Sequence, residues 1–196
     1  MGCSSSVKSV DGHSRQNRDN NVTTVSLDNA NVKVTSAPDP RVDVTSDVTD
    51  SVQHSWNYLG KDFQENGLNI FIRIFETKEE IKALFGVENV PINDLKRNAA
   101  IRSHGTRFMS AVVGIVESTA DDINNKHSEI SQLMFALGHQ HKEYVGFRPE
   151  YFDVFRKAFL WQCEKCMGPY FNDNVLNAWN IVFDIIIQRL QSGYQS

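Results

Sequence analysis

None of the chain's 12 Phe, 5 Tyr and 3 Trp lies before Trp56, although the chain runs to 196 residues. The opening stretch is Ser, Thr, Asn, Asp and Val with scattered charges, too poor in large apolar groups to offset the entropy of ordering a chain. It reads as a disordered tail over residues 1–45, with one domain over residues 46–196. Long apolar runs are absent too: the longest, Phe108 to Val116, is about half of the roughly 20 residues a membrane-spanning helix needs. Twenty basic residues face 24 acidic ones, for a net charge of −4. No Lys/Arg stripe could track phosphates, which argues against nucleic acid as a partner. Three cysteines make no disulfide framework. The N-terminus has no apolar signal-peptide core, so the chain is expected to meet the reducing cytosol. A phosphate-cradling Gly-rich loop and a hydrolase constellation are likewise missing.

What the tail does have is its first six residues. MGCSSS fits the Met-Gly-x-x-x-Ser/Thr pattern for myristoylation of Gly2, with Cys3 beside it as a palmitoylation site. One myristoyl chain gives marginal, reversible membrane binding, so a second acyl chain would be the stable anchor. The expectation is a protein tethered to the cytoplasmic face of a membrane, the plasma membrane in the first instance.

After the tail the apolar period is helical and no run shows strand alternation. Val48, Val52, Trp56, Leu59 and Phe63 form one face, which Asn66-Gly67 is expected to break. Leu68 to Phe75 follows, and TKEE (Thr77 to Glu80) fits a capping box that starts a short helix toward Phe85. GVENVP (Gly86 to Pro91) reads as a loop. A long helix from about Asp94 carries Ile101, Gly105, Phe108, Val112 and Ile115 on one face and fades at Ser118 to Asp122. Pro149 suits the first turn of a helix bearing Phe152, Phe155, Phe159 and Cys163. The last helix carries Val175, Trp179, Val182, Phe183, Ile186 and Leu190. The sum is an all-α fold of seven or eight helices.

Two histidines fall on these inward faces. Ile130, Met134, Leu137 and His141 are spaced by four, three and four residues, so His141 continues an apolar stripe that His139 leaves. His104 stands three residues after Ile101 and four before Phe108. A buried imidazole needs hydrogen-bond partners or a metal. One alone reads as a core histidine bonded to a carbonyl. Two on separate helices, amid many phenylalanines, suggest a flat, apolar, iron-bearing ligand between them.

At this point LGHQHKEYV (Leu137 to Val145) resembles the proximal segment of globins, and SHGTRFMSAV (Ser103 to Val112) their distal helix. ALF (Ala83 to Phe85) resembles the loop whose phenylalanine stacks on haem. NGLNIFIRIF (Asn66 to Phe75) and EKCMGPYF (Glu164 to Phe171) resemble the neuroglobin-like branch, and with MGCSSS the membrane-associated globin X group. The resemblance spans about Asp47 to Ser192 and implies a globin fold enclosing haem b (iron protoporphyrin IX). It implies His141 as the proximal iron ligand and His104 as the distal histidine, itself a sixth ligand when no gas is bound. Phe71, Phe85, Phe108, Leu137, Val145 and Phe152 would line the pocket, with Arg107 reaching a propionate. Gly67 and Gly105 match a pair of small residues that lets two helices cross closely. The family's usual proline near the start of the short third helix is replaced by Glu79, and the stretch from His104 to His141 is longer than in oxygen-storage globins.

Implied partners are O2, CO, NO or nitrite, the membrane through acyl chains, and an unidentified reductase, in a monomer or weak homodimer. Three functions fit: gas binding, redox chemistry on nitrite or oxidised lipid, and a haem-free helical signalling module in which the inward histidines would be superfluous. Cys163 and Cys166 form a lone C-x-x-C; core packing is the expectation, with zinc binding or a redox pair as alternatives.

Overall fold

The structure, a computed structural model, describes residues 43–196. Those residues form eight α-helices and two short 3-10 turns, with no strand among them. The helices are α1 (Ser46–Leu59), α2 (Phe63–Thr77), α3 (Ile92–Leu95), α4 (Ala99–Val116), α5 (Ala120–Asn124), α6 (Glu129–Lys142), α7 (Tyr151–Met167) and α8 (Asp173–Gln195). The tail reading for residues 1–42, the acylation sites Gly2 and Cys3 included, lies outside the described residues, but at 43–45 it is corrected: Val44 is buried, its N–H donates to Asn124 Oδ1 and its carbonyl accepts from Asn124 Nδ2, both at 2.8 Å. Among the described residues no helix is long and apolar enough to cross a membrane.

Three local expectations are corrected. Asn66-Gly67 does not end a helix: α1 stops at Leu59, and both residues sit inside α2. Asn66 is tolerated there because its amide nitrogen donates to the Leu59 carbonyl at 2.7 Å, filling an acceptor that the end of α1 leaves free. Its amide oxygen accepts from Gln162 Nε2 at 2.8 Å. No capping box forms at Thr77, whose hydroxyl turns back to the Arg73 and Ile74 carbonyls, and Glu79–Phe85 is a 3-10 turn closed by Gly86 at φ +64°. The long helix starts at Ala99 rather than near Asp94, because the Asn98 side chain caps it by accepting from Ala100 N and Ile101 N.

Glycines set the two closest helix crossings. A Cβ on Gly67 would lie 2.6 Å from the Gly105 carbonyl oxygen, and one on Gly105 2.7 Å from the Gly67 carbonyl carbon. α2 and α4 therefore touch backbone to backbone just beside His104. At the second crossing a Cβ on Gly138 would fall on the Leu190 carbonyl and one on Gly193 on that of Phe135. That contact locks α6, which carries His141, against α8. The long stretch between the two histidines holds the extra helix α5, opened by a capping box between Thr119 and Asp122.

The main core lies among α1, α2, α7 and α8, with Phe159 4.6 Å from Trp179 and 5.2 Å from Phe183. Trp179 and Ser55 are both fully buried, and the indole N–H donates to the Ser55 hydroxyl at 2.9 Å. Cys163 is buried in this core, and burial pushes its thiol well above the usual range. Cys166 reaches Asn66 Oδ1 at 3.4 Å, so the pair joins two helices. Among the described residues no group of three or more His, Cys, Asp or Glu is placed to hold a metal.

Candidate functional site

α4 and α6 bring their inward histidines to one cavity of about 180 Å³, with Leu84, Phe85, Phe147 and Phe155 on its walls and Arg107 and Tyr144 beside them. A larger cavity of about 500 Å³ lies elsewhere, between α6 and α8, and contains neither imidazole. The smaller one holds the chemistry.

His141 occupies the last turn of α6. Its Nδ1 sits 2.6 Å from the Leu137 carbonyl oxygen one turn back. A carbonyl only accepts, so Nδ1 carries the proton and Nε2 keeps a free lone pair. Phe147 and Phe152 hold the ring at centroid distances of 4.8 and 5.4 Å. Burial lowers the His141 pKa, partly opposed by the bond to Leu137, and the imidazole is neutral at pH 7.

His104 has the opposite arrangement. An Arg107 guanidinium nitrogen lies 3.1 Å from His104 Nδ1, and a guanidinium can only donate. Nδ1 is therefore the acceptor, and the proton of the neutral ring is on Nε2. Burial, reinforced by the charges of Arg107 and His141, pushes the His104 pKa down to about 4. Phe71 and Phe85 meet the ring edge-on at 4.9 and 5.0 Å. Phe71 also supports Phe85, Phe108 and Phe155 at 5.7, 6.1 and 5.3 Å, forming an aromatic wall behind the histidine.

The structure thus brings His104, His141, Phe85 and Arg107 to the cavity itself. Phe71 and Phe152 stand directly on the two imidazoles, Phe108 stands behind Phe71, and Leu137 contributes its carbonyl. Val145 is a correction. It is 97% exposed, because α6 ends at Lys142 and the turn through Gly146, at φ +89°, swings it outward and carries Phe147 inward. Sequence reasoning missed Phe147, Tyr144, Leu84 and the pocket role of Phe155. Phe155 was visible as one turn on from Phe152, whereas Phe147 depends on a turn conformation that helical spacing does not encode. His139, off the stripe as expected, is exposed and pairs with Ser196.

Chemically, one imidazole offers a lone pair and the other an N–H, both neutral and set in apolar walls. Two imidazoles alone are too few to hold a metal ion, and no wider cluster of ligating side chains surrounds them among the described residues. A metal held here would have to bring its own chelate. An iron porphyrin meets that demand, with flat apolar faces for the phenylalanines and carboxylates that suit an arginine at the rim.

The chain is similar to the neuroglobin of Tetraodon nigroviridis, at 21% identity over 145 residues, covering 73% of this chain and 87% of the relative. It is also similar to the anaerobic nitrite reductase GLB0 of Physcomitrium patens, at 22% identity with 72% and 77% covered. Among solved structures, a hexacoordinated heme protein from an anhydrobiotic tardigrade superposes with a TM-score of 0.71 at 17% identity, covering 81% of this chain and all of that one. Haemoglobin from the botfly Gasterophilus intestinalis gives a TM-score of 0.69 at 18% identity, with 78% and 99% covered. The family model for globins matches residues 68–190, well over half of the chain, and the protein belongs to the globin family, as a neuroglobin-like member.

Proposed function

We propose that this globin holds haem b through His141 and binds O2, CO and NO reversibly beside His104. The observation that supports the reading best is that the two imidazoles sharing the cavity have opposite partners at Nδ1, a carbonyl oxygen on His141 and a guanidinium on His104. When bound, the haem supplies an iron centre that takes diatomic ligands and exchanges one electron. His141 presents the Nε2 lone pair because the Leu137 carbonyl keeps the proton on Nδ1, and that bond also fixes the ring's direction. Phe147 and Phe152 prevent the ring from rotating away. His104 offers an N–H donor to a polar diatomic, and Phe71, Phe85 and Phe155 back it with an apolar wall.

His104 has a second role open to it. With Arg107 away from Nδ1, exchange with solvent would put the ring proton there and leave the Nε2 lone pair free, so that His104 would be a second imidazole donor, beside His141, for a haem held in the cavity. His104 would then compete with a gas, and apparent affinity would fall with the fraction of open protein. That gating suits sensing or redox work better than bulk storage. A membrane-side redox function, on nitrite or oxidised lipid with a reductase as electron donor, is the second reading. It is favoured by the likeness to a plant nitrite reductase globin. The MGCSSS start supports a tether on the cytoplasmic face of a membrane, through myristate on Gly2 and palmitate on Cys3.

The test is flash photolysis of the CO complex beside anaerobic nitrite mixing with the reduced protein. Reversible CO binding with a slow phase from the competing imidazole is expected. A reduced protein that binds no CO contradicts the gas-binding function, and one that leaves nitrite untouched removes the second reading.

A further inference from the structure

The larger cavity, about 500 Å³ between the N-terminal half of α6 and the end of α8, has no carboxylate in its lining. It is bordered instead by Lys126, His127 and Arg189, by the uncharged polar residues Ser131, Gln132 and Ser192, and by Phe135. Arg189 is the unusual member. Its Nε is buried, yet it has no hydrogen-bond partner among the described residues. Buried N–H groups in folded proteins are almost always satisfied, so the orphaned Nε shows that no acceptor among the described residues has been recruited to this guanidinium. Arg156 on α7 shows the ordinary outcome for a guanidinium at a helix contact in this fold. It is bonded to both Asp153 and Asp184. Nothing of the kind meets Arg189, and Lys126 is in no ion pair among the described residues.

We infer that this cavity is an oxyanion site that takes a phosphate group, anchored by Arg189 and covered by Lys126 and His127. Lys126, His127 and Arg189, with the polar side chains of Ser131 and Gln132 beside them, offer more donors than the two oxygens of a carboxylate can engage and suit the three or four oxygens of a phosphate. The guanidinium fork supplies the directional contact, whereas exposed Lys126 acts as a point charge. The cavity is larger than the ion, and Phe135, 43% exposed at its wall, gives an organic substituent an apolar surface to lie on. A soluble phosphate ester and the headgroup of an anionic phospholipid share this chemistry.

The test uses the full, haem-loaded, unacylated chain. Inorganic phosphate is titrated calorimetrically, and co-sedimentation is measured with phosphatidylcholine vesicles with and without phosphatidic acid. Saturable binding is expected in one or both arms. In Arg189→Gln it should be weaker by about tenfold or more, the factor for one lost charge-assisted hydrogen bond. Lys126→Gln, at an exposed position, should weaken it by a few-fold, and Lys157→Gln, outside the cavity, should leave it unchanged. Binding of phosphate identifies a soluble ester as the occupant class; binding only to phosphatidic acid vesicles identifies the headgroup. Should Arg189→Gln fail to fold, hydrogen exchange of the wild type decides: phosphate or phosphatidic acid should slow exchange over residues 126–135. Equal affinity in wild type and Arg189→Gln, no binding in either arm, or no change in exchange overturns the site.

Discussion

Adding one methyl group to α4 should have opposite effects at two positions. In Gly105→Ala the new Cβ would stand 2.7 Å from the Gly67 carbonyl carbon and 2.9 Å from its oxygen. Ordinary contact begins near 3.4 Å, so the helices must separate by about 0.7 Å. Both sides of the contact are backbone and neither can turn aside. Overpacking costs about 1–3 kcal/mol, here at the upper end, and alanine returns about 1 kcal/mol of helix propensity, leaving a loss of about 2 kcal/mol. In Gly114→Ala the nearest atom is Ile130 Cδ1 at 3.4 Å, the end of a flexible side chain. Propensity then dominates, and a gain of about 0.5–1 kcal/mol is expected. The two variants should differ by about 2.5–3 kcal/mol in urea unfolding of the haem-free protein. For a domain of this size that means melting temperatures about 5–12 °C apart. Gly67→Ala combined with Gly105→Ala should cost less than the sum, because one separation of the helices relieves both contacts. If both α4 variants shift stability in the same direction and by similar amounts, the close crossing is not what places His104.

Three more outcomes follow from the site. In the haem-free protein His104 has a folded pKa of about 4 against 6.5 when unfolded, so the unfolded chain binds more protons between those values. Stability should be complete above about pH 7 and fall as pH drops from about 6.5 toward 4, by roughly 2–3 kcal/mol after allowance for the partial exposure of the ring. His141, lowered in the same direction, adds to it; His104→Leu should flatten the slope, and an unaltered slope in urea titrations across that range rules the linkage out. Arg107→Met frees His104 Nδ1 and should raise the six-coordinate fraction of the reduced protein and slow CO binding; an unchanged spectrum means Arg107 does not set the proton's position. For the tail, Gly2→Ala should release the protein from membranes and Cys3→Ser should weaken its retention with myristate still attached; wild type that fractionates as soluble and takes up no labelled lipid excludes the anchor.

Periodicity made the helices and both inward histidines legible because burial repeats every three or four residues whatever the partner is. Ile130 and Met134 are buried, only 7% and 2% exposed, on the stripe that His141 completes. Features set by partners far along the chain were not legible. Asn66-Gly67 carries a turn signature, yet stays helical because Gly105 and Gln162 meet it from α4 and α7. The Thr77 capping box lost to back-bonding within α2. Val145 and Phe147 exchange places through the left-handed Gly146, which spacing on a helix cannot foresee. The protonation of the imidazoles was equally hidden, since it depends on Leu137 one turn away in one case and on the rotamer of Arg107 in the other.

The central claim is that His141, held in one tautomer by Leu137, binds haem iron. Absorption spectra of the reduced full-length protein, with His141→Ala and His139→Ala beside it, test that directly. Wild type and His139→Ala should show a Soret band of equal intensity after purification, while His141→Ala should lose haem or hold it weakly. A wild type without a Soret band, or two variants that retain haem alike, would contradict the account.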